Sequence, residues 1–81
     1  MKTHRLKTLS WSYKAVQRGD KRFEIRKNDR GFKTGDIVEL VKLQKESKII
    51  DEEAEILRFK ITYITEFHQK DGWCVFGIRE V

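Results

Sequence analysis

The chain has 81 residues, of which 38% are hydrophobic and 38% are charged, and its formal net charge is +5. A chain of this length buries one small core, so we expect residues 1–81 to form a single domain and exclude multidomain machinery. Because the charged share exceeds the ~25% that is usual for soluble domains, we expect a heavily ionised surface and no large enclosed substrate chamber.

The positive charge is concentrated in the first half of the chain. Residues 1–36 carry 11 Lys or Arg against 4 Asp or Glu, whereas residues 37–81 carry 7 against 9. A basic field of this kind raises the local concentration of polyanions, which favours RNA, DNA or nucleotides as partners. The alternative is that the charge serves only solubility.

The first predicted elements are a strand and a short helix. Weak alternation predicts a strand over residues 3–8. In the helix that follows, Ser10 or Ser12 can cap the start, and Gly19 suits the left-handed position that closes a helix. The helix face predicted to lie on the core comprises Leu9, Ser12, Tyr13 and Val16.

Four further strands are predicted after the helix. Residues 22–26 alternate strictly, with Phe23 and Ile25 on one side, as in a half-buried strand whose polar side faces solvent or a cleft. The remaining strands are predicted over residues 37–43, 57–63 and 73–78. The apolar positions of the fourth strand are Leu57, Phe59, Ile61 and Tyr63.

These elements predict a mostly β fold of the α+β class. Five strands, one or two short helices and short connections suggest a small curved sheet that closes into a β-barrel of about five to six strands, because closure buries the sheet edges. Residues 44–55 are mostly charged, and we expect them to form an exposed, variable loop.

The chain offers no recognisable pattern for a metal or cofactor. Cys74 is the only cysteine, and its apolar neighbourhood is typical of a buried, inert thiol. His4 and His68 are isolated and no Gly-rich phosphate loop is present, so we predict no metal site and no cofactor. Because the chain has no apolar run long enough for a bilayer or a signal peptide, we expect a cytoplasmic protein with no membrane contact. We expect a monomer, with a dimer as the alternative.

Residues Gly19 to Asp36 carry the candidate site. Glu24 and Arg26 are two apart on a predicted strand, so their side chains leave the same face and set an acceptor beside a fork of donors. Lys21 can join them only from the preceding turn. Such a group could bind a nucleobase edge or a phosphate. The alternative is an ion pair on a solvated sheet face, worth at most ~1 kcal/mol.

Further candidate binding residues surround this trio. An ammonium at position 21 could bind an anion, polarise a carbonyl or, after losing its proton, act as a base, so Lys21 and Glu24 are the catalytic candidates if the protein is a hydrolase. The aromatic candidates could stack on bases or belong to the core. The full set of ligand-binding candidates is Lys21, Glu24, Arg26, Lys27, Asn28, Arg30, Lys33, Trp11 and Tyr13.

Several motifs carry a family resemblance. They are His4-x-Leu6-Lys7, Gly19-x-Lys21-x-Phe23-Glu24-x-Arg26-Lys27-Asn28-Asp29-Arg30, Phe32-x-x-Gly35-Asp36, Thr62-Tyr63-Ile64 and Gly72-Trp73-Cys74-Val75-Phe76-Gly77-Ile78. In these motifs the chain resembles the ASCH domains of the PUA-like superfamily, and most closely the DUF3850 branch that is met in phage and bacterial genomes. The resemblance covers nearly the whole chain, with residues 44–55 as its variable part.

The resemblance implies a PUA-like β-barrel with the early helix beside a cleft, and a role for that cleft in binding nucleic acids or nucleotides. Some ASCH proteins are amidohydrolases that remove the acyl group from N4-acetylcytidine with a lysine, a threonine and a distant glutamate. The lysine corresponds to Lys21, but Glu24 occupies the position of the threonine, and the distant glutamate has no counterpart that we can place. The expected nucleophilic hydroxyl is therefore missing at position 24.

Three functions follow as hypotheses. The first is a module that binds RNA, and possibly DNA, in a basic cleft, with Lys21, Arg26 and Arg30 as donors and with Glu24 and Asn28 reading a base edge. The second is a hydrolase of a modified nucleoside, in which Lys21 and Glu24 share proton transfer and Arg26 holds the substrate. The third is a phage or mobile-element accessory protein whose basic face binds an acidic host protein.

Overall fold

The computed structural model describes all of residues 1–81 as five strands and one helix. In chain order these are β1 (Thr3–Thr8), α1 (Ser10–Gln17), β2 (Phe23–Lys27), β3 (Ile37–Lys42), β4 (Leu57–Thr65) and β5 (Trp73–Glu80). The prediction of a mostly β fold with an early helix is confirmed. Residues 44–55 are irregular and largely exposed. The helix is too short and too polar to cross a bilayer.

The five strands form one sheet in the order β1-β3-β4-β5-β2, which curls into a half-barrel. Strand β1 runs parallel to β3, and the other neighbouring strands are antiparallel. The edge strands β1 and β2 share no backbone ladder, which corrects the prediction of a closed barrel of five to six strands. Two arginines span the gap instead: Arg26 Nη1 donates to Lys7 O at 3.1 Å, and Arg30 Nη1 donates to Arg5 O at 2.8 Å.

The hydrophobic core fills the concave side of this sheet. Strand β1 alternates between exposed and buried residues, and helix α1 buries Tyr13 and Val16 against the core. Gly19 has a φ of +85°, which confirms its place at the end of the helix. The core cluster comprises Leu6, Tyr13, Val16, Phe32, Val38, Leu40, Phe59, Ile61, Cys74, Phe76 and Ile78.

The start of the helix differs from the prediction. Leu9 is the N-terminal cap residue and is half exposed, because the helix begins at Ser10 and Leu9 lies outside its core-facing stripe. Neither Ser10 nor Ser12 caps the helix with its side chain. The Ser12 hydroxyl is instead buried against Lys21, as described below.

Two strands expose residues that the alternation assigns to the core. In β2 the polar side faces the cleft, one of the two predicted alternatives, but it is also the more buried side: Phe23 and Ile25 are 42% and 50% exposed, whereas Glu24 is 2% exposed. In β4 the register shifts between Ile61 and Tyr63, so the extra residue of a β-bulge turns Tyr63 outward.

A buried polar pair holds the start of β1 against the start of β3. His4 Nε2 lies 2.9 Å from Asp36 Oδ2, and both side chains are buried. The carboxylate also accepts the backbone N–H groups of Lys2 and Lys33, each at 3.1 Å. Burial raises the pKa of Asp36, but the hydrogen bonds from His4 and these two amides outweigh burial, so the pKa of Asp36 is lowered overall.

Cys74 is fully buried in β5, as predicted. Burial, followed by the nearby carboxylate of Glu66, raises the pKa of its thiol. A buried thiol with a raised pKa is a poor nucleophile, which agrees with a packing role for this residue.

Candidate functional site

A cleft of about 670 Å³ opens at the gap between the two sheet edges, where β1 and the start of α1 face β2. This volume lies within the range of small-molecule sites, about 300–1,000 Å³. Apolar side chains make much of its wall: Leu6, Leu9, Trp11, Phe23, Ile25, Phe32 and Trp73. The cations of the lining are Lys7, Lys21, Arg26, Lys27 and Arg30, and its two carboxylates are Glu24 and Asp29.

The buried Glu24 carboxylate lies at the centre of a part-buried ionic cluster in this cleft. Its Oε2 accepts a hydrogen bond from Lys21 Nζ at 2.8 Å. Its Oε1 accepts two from Arg26, from Nη2 at 2.8 Å and from Nε at 3.0 Å. The structure therefore brings together the three ionic groups that the sequence analysis expected to converge, and it places the carboxylate between the two cations.

Lys21 reaches the cluster from the turn that follows α1. Its Nζ bonds Glu24 and also donates to the Ser12 hydroxyl, and it lies 5.5 Å from the centroid of the Phe23 ring. An ammonium has three N–H donors, so one remains for a ligand once these two bonds are made.

Arg26 is held in place by both walls of the cleft. Besides Glu24, its guanidinium donates to Lys7 O and, from Nη2 at 3.2 Å, to the hydroxyl of Thr8. Thr8 in turn donates to Leu6 O. Two guanidinium N–H groups bond Glu24 Oε1, one bonds Lys7 O and one bonds the Thr8 hydroxyl, so four of the five are used. A single Arg26 N–H is left free.

The structure does not bring every predicted binding residue to the cleft. Tyr13 lies in the core, where its hydroxyl donates to Glu55 O, and burial followed by the Glu55 and Asp51 carboxylates raises its pKa. Asn28 uses its side-chain oxygen to accept the Phe32 amide at 3.0 Å and does not line the cleft. Lys33 is exposed outside it.

The other predicted binding residues do lie in the lining. Lys27 and Arg30 stand on the β2 side of the cleft with exposed side chains. Trp11 lies across from them on α1 and is 71% exposed. An exposed indole on the rim of a cleft is available for stacking, whereas a core tryptophan is not.

Two hydroxyl groups of the cleft escaped the sequence analysis as site residues. Ser12 contacts Lys21, Thr8 contacts Arg26, and both are buried. The signal for each was a hydroxyl at an inward-facing position of its element, since a buried hydroxyl requires a hydrogen-bond partner. The pattern could not show that the partner is a cation of the cleft.

The cluster offers a ligand hydrogen-bond donors and positive charge. Glu24 is 2% exposed and each of its oxygens already bonds a cationic donor, whereas the more exposed Lys21 and Arg26 each keep one N–H. The three groups together carry a formal net charge of +1. Apolar and aromatic walls surround these donors. The cleft therefore suits a planar ligand with a carbonyl or anionic edge. No three His, Cys, Asp or Glu side chains lie close enough to hold a metal ion.

Comparison with known proteins identifies a family for almost the whole chain. Residues 3–78 match the model of the family described as "Domain of unknown function (DUF3850)". No curated protein matches the chain.

Proposed function

The chain belongs to the DUF3850 family, and we propose that it is a nucleic-acid-recognition module whose cleft binds RNA through an unpaired base or nucleotide. The observation that carries the proposal is the Lys21–Glu24–Arg26 cluster, whose buried carboxylate holds two partly exposed cationic donors in place inside an aromatic-walled cleft. Pre-positioned donors bind with little loss of side-chain entropy.

The charge around the cleft supports a polyanionic ligand. Lys7, Lys27 and Arg30 line the opening. The phosphates of a nucleotide whose base lies inside the cleft would therefore meet cations at its rim. Glu24 acts as a positioning residue in this proposal, because it is 2% exposed and each of its oxygens already bonds Lys21 or Arg26. The base edge is then read by donors, which favours keto oxygens over amino groups.

A relationship to the ASCH domains of the PUA-like superfamily is part of the proposal. It is supported by the motifs that resemble that branch and by an early helix that lies beside a cleft in a curled sheet. A cytoplasmic location agrees with an RNA ligand and is proposed with it.

Titration of labelled oligonucleotides tests the module. We expect single-stranded RNA to bind and its affinity to fall steeply between about 50 and about 200 mM salt, because phosphate contacts release counterions. Arg30→Ala should lower the affinity and should also reduce the slope of log K against log salt concentration by about one. Lys45→Ala, in the loop away from the cleft, should change neither quantity. Undetectable binding of RNA and DNA at about 50 mM salt would refute the module.

A second candidate is a hydrolase of an N4-acylated cytidine, and the contact of the Ser12 hydroxyl with Lys21 Nζ favours it. That contact puts a hydroxyl beside the lysine although position 24 lacks one. In this reaction a water attacks the amide carbonyl directly, or the Ser12 hydroxyl attacks it and a water then hydrolyses the acyl-serine ester. The C–N bond breaks in either route, and the amine leaves with the proton of the nucleophile. The hydrolase predicts a free carboxylic acid and cytidine as products. Turnover that survives both Lys21→Ala and Ser12→Ala would exclude these residues from the chemistry.

A further inference from the structure

The outer face of strands β2, β5 and β4 carries a band of exposed apolar side chains. Pairing across the sheet aligns Phe23, Gly77 and Tyr63 in one row, and Ile25, Val75 and Thr65 in the next. Phe23, Ile25 and Tyr63 are all large and solvent-exposed. Packing of the core does not explain them, because the core lies on the opposite face of these strands.

Local features of the fold place the two rings of this band. Phe23 faces outward because Glu24 takes the inward position of β2, and Tyr63 faces outward because of the bulge in β4. Between them Gly77 has no side chain, and a β-carbon there would lie 3.1 Å from Thr62 Oγ1. The two rings thus stand about 10 Å apart, two strand spacings, on either side of a residue without a side chain.

Unpaired cations border the aromatic row. Lys60 and Arg79 are directly opposite each other on β4 and β5, and alternation puts both on the outer face, since their neighbours Ile61 and Ile78 are buried. Neither cation forms an ion pair. Like charges directly opposite each other destabilise a sheet, and a bound polyanion would relieve that repulsion.

This band is continuous with the cleft. Phe23 and Ile25 line the cleft and also belong to the outer rows, and Lys27 follows them on β2. A chain that leaves the cleft past Phe23 therefore meets Tyr63 and the Lys60–Arg79 pair next. A second copy of the same face would bring these cations against one another, so the charge favours an anionic occupant over self-association.

We propose that the outer face of β2, β5 and β4 is a binding track for single-stranded nucleic acid, continuous with the cleft; this inference rests on the proposed function. One base occupies the cleft, following bases stack on Phe23 and Tyr63, and Lys60 and Arg79 contact the phosphates. Aromatic platforms between cations are the means by which proteins hold single strands without reading every base.

Affinity as a function of oligonucleotide length tests the track. We compare a mononucleotide with single-stranded RNAs of roughly 2, 4 and 8 nucleotides, within the range of a small single-strand site. The wild type should bind more tightly as length grows. Tyr63→Ala should lower the affinity for the longest RNA roughly tenfold and leave the mononucleotide unchanged, because one stacked base is lost. Tyr63→Phe, which keeps the ring, should restore the affinity.

Matched variants separate the track from general effects. Ile49→Ala removes an equally exposed apolar side chain from the loop at residues 44–55 and should change nothing. Lys60→Ala should reduce the salt slope for the longest RNA by about one, whereas Lys48→Ala should not.

The outcomes are distinct. If the mononucleotide and all lengths bind equally and Tyr63→Ala has no effect, the track is refuted while the cleft proposal stands. If Tyr63→Ala converts a dimer to a monomer without changing RNA binding, the face is a self-association surface and the track is refuted. If no nucleotide or RNA binds, the proposed function fails, and the track fails with it.

Discussion

The burial of Glu24 determines where the two cations of the cleft lie. It is 2% exposed, and each of its oxygens is bonded to a cation. A buried charge is tolerated only when it is paired and hydrogen-bonded, so Lys21 and Arg26 explain why a carboxylate can occupy an inward position of β2. The same pairing holds both cations at defined positions for a ligand.

Removal of this carboxylate should destabilise the fold. Glu24→Ala leaves Lys21 and Arg26 close together without their counter-ion. Because these two side chains are 19% and 23% exposed and can be partly hydrated, we expect the free energy of unfolding to fall by about 1–3 kcal/mol. Urea denaturation measures the loss. The control is Asp20→Ala, which breaks an exposed pair with Arg18 and should change stability by less than about 1 kcal/mol. Equal losses for the two variants would show that the cluster contributes no more than a surface pair.

Asp36 should make stability depend on pH in the acid range. Its pKa is lowered in the folded state, so its contribution to stability is present above its ordinary value of 3.8 and is lost as the pH falls through the folded value. Urea midpoints of wild type and Asp36→Asn, measured from about pH 5 down to about pH 2, should show a shallower acid loss in the variant.

The comparison variant is Asp51→Asn, which removes another carboxylate of lowered pKa and should therefore also reduce the acid loss somewhat. The pKa of Asp51 is also lowered, chiefly by its hydrogen bond with Lys42, but Asp51 lies in the loop outside the core. It should leave the Asp36 contribution intact. An acid dependence in Asp36→Asn as steep as in the wild type would contradict the role assigned to the buried pair.

At the scale of elements, alternation predicted the strands and the buried side of β4 at Phe59 and Ile61, but not the buried side of β2. The grouping of Phe23 with Ile25 and of Glu24 with Arg26 is confirmed. The buried side of β2 could not be read from hydrophobicity, because an edge strand beside a polar cleft can turn its charged side inward when partners are supplied by other elements. In the same way, the bulge that exposes Tyr63 depends on the register between β4 and β5, and the alternation within β4 gives no information on that register.

The close approach of Thr62 to Gly77 at the bulge can be tested by substitution. Gly77→Ala places a β-carbon 3.1 Å from Thr62 Oγ1, so Thr62 must shift, and we expect a loss of about 1 kcal/mol in the free energy of unfolding. In a Thr62→Ala background the same substitution should be less destabilising, which a double-mutant cycle measures. Equal losses of stability in both backgrounds would show that the Thr62 side chain does not restrict a β-carbon at position 77.

For the whole molecule, the sequence predicted a curved five-stranded sheet with an early helix, and the structure adds that the sheet stays open. Closure depends on whether two distant edges reach hydrogen-bonding distance, which local patterns do not determine. The gap is spanned by Arg26 and Arg30, and it becomes the cleft. Glu24 and Arg26 could be grouped from their spacing, and Lys21 could join them from the preceding turn, whereas Ser12 and Thr8 are brought to them only by the packing of α1 and β1.

The central claim is that single-stranded RNA binds in the cleft, and the two tryptophans of the chain report on it directly. Trp11 and Trp73 both line the cleft. In a titration with RNA at about 50 mM salt, followed by NMR, both indole N–H signals and the backbone amides of Lys21 and Arg26 should shift together. The amides of residues 44–55 should not. Shifts confined to that loop, or none at all, would contradict the claim.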